Sequence, residues 1–280
     1  MTIGILHSTI RGDEKLIIEA AKRLNVAVKL IDIRTQILGG KNWSQNIDIA
    51  IERSVSTVKG TYAVEYLEQM GIPVINSAAV GRICQDKFLT SCVLQKNDVP
   101  TIPFGMVFSL EQAETLVENL GGFPIVMKPA KGSWGRLLAK INDQDSLEAM
   151  IDHKNVLGSP DQKAFYLQKF IDTKNRDIRA FVIGGKVICA IYRDSKHWIT
   201  NTARGGIASN CKVNKNLRVI CKKAANAVGG GILAMDVMET KFGYLINEIN
   251  HTMEFKNSEK PTGVSISGAI VDYAINLIRV

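Results

Sequence analysis

The sequence predicts an α/β protein built of α+β lobes, and three observations support this fold class. A chain of 280 residues is longer than one hydrophobic core usually serves, which favours two or three subdomains around a shared cleft. Apolar residues make up 46% of the chain and charged residues 22%, as in an ordinary globular protein. Apolar runs with strand spacing alternate with stretches of helical spacing along the chain.

Residues 1–80 predict a small parallel α/β domain. Helical spacing covers residues 14–24 and 63–70, and the predicted strands are IGILH, VKLIDI, IDIAI and PVINS. The first turn, STIRGDE, lacks the glycine spacing of a dinucleotide-binding loop. We therefore expect no dinucleotide site in this domain.

Residues 81–166 predict a second, central lobe. A helix over residues 79–93 leads into it, and a crossing marked by two prolines follows. The lobe continues with strand FGMVF, a helix over 110–120, strand FPIVMKP, a glycine-bearing loop, strand LLAKI and a helix over 145–153.

Residues 167–280 are assigned to a third lobe, which the strand FYLQKFI is predicted to open. A long antiparallel hairpin turns at Gly184 and Gly185. A polar loop, a helix over 215–228 and a glycine run follow, and they lead into a second hairpin formed by GILAMDVMET and YLINEINHT.

The second hairpin brings polar side chains together. Its three-residue turn, KFG, would pair Thr240 with Tyr244. Counting back from that pair sets Asp236 directly opposite Glu248. Because strand side chains alternate between faces, Asn250 shares the face of Glu248.

Two carboxylates directly opposite each other repel unless a cation lies between them. Oxygen ligands suit magnesium, which usually completes its shell with water and substrate phosphates. The sequence therefore predicts a magnesium site at Asp236, Glu248 and Asn250. An exposed face of an antiparallel sheet would carry the same residue types, so the hairpin alone leaves both interpretations open.

Four further stretches carry residues suited to a nucleotide. Lys128 ends an apolar strand before the loop GSWGR, which offers backbone amides to a polyphosphate without being a Walker A loop. Arg193 and Asn201 lie in a basic, glycine-containing stretch that suits an oxyanion. The backbone of Gln168–Ile171 could pair with a purine edge. The fourth stretch is a predicted helix that contains Lys87. Taken singly, the loop after Lys128 is also explained by an ordinary turn, the stretch with Arg193 by a flexible loop, and Gln168–Ile171 by a surface hairpin. Lys87 alone is also explained by a surface charge.

The order of these stretches resembles that of the ATP-grasp ligases over nearly the whole chain. The spellings KPAKGSWGR, TNTARGG and NEINHTMEFKN resemble the RimK-related branch, and most closely the LysX ligases. The resemblance implies an ATP-grasp fold preceded by a Rossmann-like pre-ATP-grasp domain. It also implies ATP and two magnesium ions as cofactors.

The resemblance assigns a role to each matching position. Lys87 and Lys128 would contact the ATP phosphates, and Lys128 and Arg193 would be the catalytic residues. Magnesium would be held by Asp236, Glu248 and Asn250. The other positions implied to contact ATP are Gly132, Ser133, Trp134, Gly135, Arg136, Leu137, Leu138, Gln168, Lys169, Phe170, Ile171, Asp177, Arg179 and Asn201.

The resemblance also implies a reaction. Family members phosphorylate a carboxylate to an acyl phosphate, which an amine then attacks to form an amide. In the LysX ligases of lysine biosynthesis, the carboxylate is the side chain of the C-terminal glutamate of a small acidic amino-group carrier protein, and the amine belongs to α-aminoadipate. The present chain has 35 Lys and Arg against 27 Asp and Glu, a net charge of +8, which suits an acidic partner.

In this branch the residues after EFK separate ligases for α-aminoadipate from those for glutamate. Asn257 and Ser258 follow here, which favours α-aminoadipate and leaves dual use of glutamate open. A related ligase with another acceptor and a nucleotide-binding protein without turnover are the remaining alternatives. The positions implied to contact the substrates are Thr202, Ala203, Arg204, Glu254, Phe255, Lys256, Asn257 and Ser258.

Composition restricts the other function classes. The five cysteines are scattered without a C-x-x-C pair, which favours buried thiols over a zinc site. No segment approaches the run of about 18 apolar residues that spans a membrane, and no cationic leader is present, so we expect a cytoplasmic protein without membrane contact. No nucleic-acid-binding motif accompanies the positive charge, so we expect no nucleic-acid partner. We expect a homo-oligomer, because chains of this class often pair through sheets or helices.

Overall fold

The structure is a computed structural model that describes residues 1–40, 43–132, 136–200 and 206–279. Over these ranges the chain forms three sheets with helices packed against them. The predicted mixed α/β fold class is confirmed.

The first sheet is parallel. Its strands and helices are β1 (Thr2–His7), α1 (Gly12–Arg23), β2 (Ala27–Asp32), β3 (Ile49–Glu52), α2 (Thr57–Gln69) and β4 (Val74–Ile75). The strand order is β2-β1-β3-β4, so the chain leaves β1 toward one side of the sheet and β3 toward the other. β1 and β3 are buried at nearly every position, as expected of parallel strands covered on both faces.

The helix predicted over residues 79–93 is two helices, α3 (Ala78–Cys84) and α4 (Lys87–Lys96). Asp86 causes the break, because its backbone is extended and its side chain accepts a hydrogen bond from the Leu89 amide at 3.0 Å. Such capping starts a new helix. Lys87 is therefore the first residue of α4, and its amide donates to the Ala130 carbonyl at 2.8 Å.

The second sheet is antiparallel. Its elements are β5 (Phe104–Val107), α5 (Leu110–Asn119), β6 (Ile125–Lys128), β7 (Ala139–Ile141), α6 (Gln144–Leu157), a 3-10 helix (Pro160–Lys163) and β8 (Phe165–Lys169). β8 lies between β5 and β6. The prediction that FYLQKFI opens the third lobe is therefore wrong, since its strand belongs to the second sheet. An apolar run predicts a strand but does not indicate which sheet the strand joins.

The third sheet has the order β11-β10-β9-β12-β13. Its elements are β9 (Arg176–Ile183), β10 (Lys186–Asp194), β11 (Ile207–Asn210), α7 (Lys215–Val228), β12 (Ile232–Thr240) and β13 (Gly243–Asn250), followed by α8 (Glu259–Thr262) and α9 (Ile266–Ile278). The hairpin turn at Gly184 and Gly185 is confirmed, and both residues have the positive φ that a two-residue turn of this kind requires. The helix predicted over 215–228 is also confirmed.

The β12–β13 hairpin differs from its prediction at the turn. Thr240 pairs with Gly243, so the turn has two residues instead of three. A β-bulge at Asn247 then adds one unpaired residue to β13. Asp236 consequently lies opposite Glu248, as predicted.

Asn76 joins the first sheet to the third. Its Nδ2 donates to the carbonyls of Ile232 at 2.8 Å and His251 at 2.6 Å, and its Oδ1 accepts from the Ile232 amide at 2.6 Å. Gly231 has no side chain to obstruct this contact, since a Cβ there would lie 1.9 Å from Asn76 Oδ1. Together with a hydrophobic cluster shared by both sheets, this side chain fixes the end of β13 against the end of β4.

In the part of the chain that the structure describes, none of the helices combines the length and the apolar character needed to cross a membrane.

Candidate functional site

A cleft of about 730 Å³ lies where the three sheets meet. Its walls come from the segment between β3 and α2, the helices α3 and α4, the strands β6 and β8, and the face of the third sheet formed by β9, β10, β12 and β13. Most of the site residues predicted from the sequence and described by the structure line this single cleft.

Four charged side chains alternate across the third sheet. Arg179 binds Asp236 through two hydrogen bonds, at 2.8 and 3.0 Å. Arg193 binds Asp177 in the same two-pronged way, and its Nη2 also lies 3.1 Å from Asp236 Oδ2. These pairs form because Arg193 is opposite Asp177, and Arg179 opposite Asp236, in the strand register. The sheet therefore presents a pre-arranged set of charges to the cleft.

The ion pairs keep these groups charged despite burial. Burial alone would raise the pKa of Asp236, but Arg179 and Arg193 outweigh it and lower that pKa to about 2. Burial would lower the pKa of Arg193, but Asp236 and Asp177 outweigh it and hold that pKa above its usual value. Both side chains are therefore ionised at neutral pH.

The three predicted magnesium ligands, Asp236, Glu248 and Asn250, line the cleft together. Asn250 Nδ2 is buried without a hydrogen-bond partner, so this donor is available to a ligand in the cleft. Glu248 Oε1 lies 3.4 Å from Lys87 Nζ. The described residues contain no group of three or more His, Cys, Asp or Glu side chains placed for a metal, so the site offers two carboxylates and one amide. These oxygen donors fit magnesium that is also bound by phosphates and water.

Two buried lysines face the predicted magnesium ligands from the other side of the cleft. Lys87 Nζ donates to the Gly132 carbonyl at 2.5 Å. Lys128 Nζ donates to Asn247 Oδ1 at 3.0 Å and lies 5.7 Å from the centre of the Tyr166 ring. Because of the bulge, Asn247 lines the cleft together with the adjacent residue Glu248. The sequence analysis had assigned no role to Asn247.

The ammonium group of Lys128 is held less firmly than the guanidinium of Arg193. Burial lowers the pKa of Lys128 to about 8, and the neighbouring Lys87 acts in the same direction. Glu248 and Asp236 oppose this shift without cancelling it. A ligand with negative charge would therefore stabilise the protonated form of Lys128.

The cleft is lined by the first residue of the predicted phosphate loop and by a residue just beyond the end of that loop. Gly132 lines the cleft with a φ of +150°, a backbone conformation that favours glycine. Leu138 lines it from the other end, whereas Arg136 and Leu137 are exposed. The predicted contacts at 133–135 lie outside the described residues.

The predicted adenine segment, Gln168–Ile171, also lines the cleft. Gln168 Nε2 donates to the Tyr166 hydroxyl at 2.6 Å, which fixes the start of the segment. The Phe170 ring lies 3.8 Å from Lys140 Nζ. An aromatic ring beside fixed polar groups suits a planar base.

The predicted substrate segment is only partly in the cleft. Glu254 lines it, and its Oε1 accepts a hydrogen bond from Arg11 Nη1 at 3.2 Å. Phe255 is buried in the core instead. The amides of Phe255 and Lys256 both donate to Asp13 Oδ1, at 2.6 and 2.8 Å, so this part of the chain is anchored to helix α1.

Four of the predicted substrate contacts lie outside the cleft. Phe255 and Ser258 are buried, and Lys256 and Asn257 are exposed, but none of the four lines the cleft. The predictions at 201–204, which include Asn201, Thr202, Ala203 and Arg204, fall outside the described residues.

Sequence reasoning missed the wall that the first sheet contributes. Glu52 lies at the end of β3, and it accepts hydrogen bonds from the Thr252 hydroxyl at 2.7 Å and the Ser54 amide at 2.5 Å. Burial raises the pKa of Glu52. The signal was present in IDIAIERS, because polar residues after the carboxyl end of a parallel strand often face a ligand.

Two family models match adjoining parts of the chain. The RimK-like ATP-grasp domain matches residues 84–274, and the LysX preATP-grasp domain matches residues 3–83. The chain belongs to the RimK-like ATP-grasp family. The resemblance found in the sequence is thereby confirmed, and this chain is an ATP-dependent ligase that forms carbon–nitrogen bonds. An ATP-grasp fold implies ATP binding, typically with magnesium.

Full-length relatives of this RimK-like ligase carry two different names. The present chain is 32% identical over 273 residues to the α-aminoadipate–LysW ligase LysX of Saccharolobus solfataricus, and the match covers 96% of this chain and 99% of that one. It is also 32% identical over 279 residues to the glutamate–LysW ligase ArgX of Sulfolobus acidocaldarius, covering 99% of both. The names differ in the amino acid, so identity alone does not choose between the two substrates.

A solved structure agrees with the fold. A RimK domain ATP-grasp protein from Sphaerobacter thermophilus matches with a TM-score of 0.80 at 22% identity, over 98% of this chain and 99% of that one. The predicted ATP-grasp fold is confirmed.

Proposed function

We propose that this ligase joins the α-amino group of α-aminoadipate to the side-chain carboxylate of the C-terminal glutamate of a small acidic carrier protein, in lysine biosynthesis. The observation that carries the proposal is the convergence of Lys87, Lys128, Arg193 and the oxygen donors of the third sheet in one cleft. The name of the LysX relative supports the choice of carrier and amino acid.

ATP would lie along the cleft with its base beside Gln168–Ile171 and its phosphates between the two lysines and the third sheet. Lys87 is already tied to the start of the glycine loop through Gly132. Closure of that loop over the phosphates would exclude water, which an acyl phosphate requires because it hydrolyses readily.

The first chemical step transfers the terminal phosphoryl group to the carrier's glutamate. A carboxylate oxygen forms a bond to phosphorus while the bond from phosphorus to ADP breaks. Lys128 and Arg193 would hold the phosphoryl oxygens during the transfer, which depends on positioning and charge neutralisation. Two magnesium ions held by Asp236, Glu248 and Asn250 would supply further neutralisation of the phosphates.

The second step forms the amide. The uncharged amine nitrogen attacks the acyl carbon, the carbon–oxygen bond to phosphate breaks, and inorganic phosphate leaves. The amine proton is released to the surroundings. No nucleophilic serine or cysteine is needed, and the five cysteines are buried or partly buried thiols, with pKa values that burial raises.

Glutamate is the second candidate substrate, because the ArgX relative is as similar as the LysX relative. Asn257 and Ser258 favour α-aminoadipate through their resemblance to LysX ligases. Since neither lines the cleft, they would act on specificity by setting the position of Glu254.

The decisive experiment mixes the purified protein with ATP, magnesium and the acidic carrier, and offers α-aminoadipate or glutamate in separate reactions. We expect the carrier mass to increase by one α-aminoadipate residue, with matching ADP release. Glu248→Ala should abolish both signals, whereas Glu239→Ala, an exposed carboxylate on the same hairpin, should preserve them. A mass gain with glutamate alone would contradict the assignment of α-aminoadipate as the substrate. No mass gain with either amino acid would contradict the proposed reaction with the carrier.

A further inference from the structure

The cleft extends to a place in the first sheet where open parallel sheets commonly bind ligands. The connection from β1 runs to β2 on one side of the sheet, and the connection from β3 runs to β4 on the other side. In open parallel sheets, ligands bind beyond the carboxyl ends of the two strands between which the connections diverge in this way. Helices α1 and α2 both begin beside this place. Ser54, Thr57 and Gly60 from this region line the cleft.

A single run of chain connects this region to the proposed phosphate site. Glu248, Asn250, Thr252 and Glu254 occur at every second position, and all four line the cleft. The chain bends at His251 and Thr252, just past the end of β13. It carries Thr252 and Glu254 along the same cleft wall beyond the proposed magnesium ligand Asn250.

The far end of this run has two carboxylates. Glu52 is buried and fixed by the Thr252 hydroxyl. Glu254 is held by Arg11, and its side chain is 40% exposed. Gly60 leaves room for Glu52, because a Cβ at that position would lie 2.6 Å from Glu52 Oε1. Two carboxylates on the cleft wall suit an ammonium group.

The same end also has hydrogen-bond donors for an anion. Ser54 is only 5% exposed, and its hydroxyl lies near Glu52 without a hydrogen bond of good geometry. The first turn of α2 follows directly, and Thr57 and Val58 line the cleft. The first amides of a helix have no partner within the helix and favour a carboxylate.

We propose that this edge of the first sheet holds the amino acid that supplies the amine, with its ammonium group between Glu52 and Glu254 and its carboxylate at Ser54 and the first turn of α2. The site takes a zwitterionic amino acid, because acidic groups and anion-binding donors lie side by side. This inference rests on the proposed function, whose phosphate site lies at the other end of the same run of residues.

The kinetic test uses Glu52→Gln and Ser54→Ala, with Glu19→Gln as the matched control, since Glu19 is an exposed carboxylate on α1 of the same lobe. We expect Glu52→Gln to raise KM for α-aminoadipate about tenfold and Ser54→Ala about threefold, the loss of one polar contact each. KM for ATP should change by less than about twofold in every variant. An unchanged KM for the amino acid in both cleft variants would overturn the inference.

A binding test separates this inference from the proposed reaction. α-Aminoadipate and glutamate are titrated into the protein with magnesium and a non-hydrolysable ATP analogue, without carrier. Binding that Glu52→Gln weakens, in a protein that does not turn over the carrier, would keep the amino-acid site and reject the carrier reaction. Absence of binding by either amino acid would overturn the site. If Glu52→Gln fails to fold by circular dichroism, Ser54→Ala decides, because the Ser54 hydroxyl makes no hydrogen bond on which folding depends.

Discussion

Two cations in the cleft are buried to almost the same degree, yet the protein holds them in opposite ways. Arg193 on the third sheet is 2% exposed, and Lys128 on the second sheet is 5% exposed. Arg193 lies against two carboxylates that hold its pKa above the usual value. Lys128 donates to a neutral amide, and burial lowers its pKa to about 8.

The difference shows that the partner, more than the depth of burial, decides whether a buried charge is permanent. Arg193 belongs to a framework that is complete before any nucleotide arrives. Lys128 donates to a neutral amide, so on the proposed assignment the phosphates of ATP would stabilise its charge. The third sheet then supplies a fixed charge, and the second sheet supplies a charge that would respond to the ligand.

The largest expected effect is on the fixed charge. Arg193→Met would leave Asp177 and Asp236 buried with one fewer cation, and we expect the free energy of unfolding to fall by about 3–5 kcal/mol. ADP formation should be lost as well. Denaturant unfolding and ADP release measure the two effects. Arg193→Lys keeps the charge without the two-pronged contact and should be intermediate, and an unchanged unfolding free energy for Arg193→Met would contradict this assignment.

The same substitution at the responsive charge should separate activity from stability. We expect Lys128→Met to reduce ADP formation by about 100-fold or more, as for loss of one group that stabilises a transition state. The free energy of unfolding should stay equal or rise, because a buried ammonium is removed. A loss of stability as large as that of Arg193→Met would remove the distinction between the two sites.

The pH dependence of stability should reveal Lys128 directly. Its folded pKa of about 8 lies below the value of about 10.4 expected in the unfolded chain. Between these values the unfolded chain binds more protons, so the free energy of unfolding should rise with pH, by up to about 3 kcal/mol relative to Lys128→Met. Denaturant unfolding from pH 7 to 11 without ATP measures the rise. Saturating ATP should reduce the slope, and parallel profiles for the two proteins would contradict the lowered pKa.

The smallest effect is expected at Lys140, a cation held by an aromatic ring instead of a carboxylate. Its Nζ lies 3.8 Å from the centre of the Phe170 ring at a partly exposed position. Lys140→Met should lower the free energy of unfolding by about 0.5–1 kcal/mol. Calorimetric titration should show ATP affinity within about twofold of the wild type, the shift that so small a contact allows. A tenfold loss would give Lys140 a direct part in nucleotide binding.

The sequence predicted chemistry that is local in the chain better than arrangement between distant parts. Alternation along β12 and β13 correctly brought Asp236, Glu248 and Asn250 to one face. The predicted facing of Asp236 and Glu248 came from a turn that was one residue too long, and the bulge at Asn247 compensated for that error. Periodicity contains no information about a bulge, so this success depended on two cancelling differences.

Contacts between sheets were beyond the reach of sequence patterns. Nothing in the spelling of IERS shows that Glu52 meets Thr252, two hundred positions later in the chain. Phe255 was predicted at the substrate because of its place in a family motif, but its apolar ring is buried in the core. A motif reports that a position matters without reporting whether the side chain faces the ligand or supports the wall.

The bulge at Asn247 also bears on how this cleft is inherited. Asn247 lies outside the ladder, because the residues on either side of it, Ile246 and Glu248, pair with adjacent residues of β12. A descendant that replaced Asn247 would keep Glu248, Asn250, Thr252 and Glu254 on the cleft side. A descendant that deleted it would have a regular ladder, in which Ile246 still pairs with Val237 and Glu248 with Asp236, so Glu248 and Asn250 would keep their face. When related chains are aligned, a gap at this position therefore marks loss of the hydrogen-bond partner of Lys128 and leaves the facing of the other cleft residues unchanged.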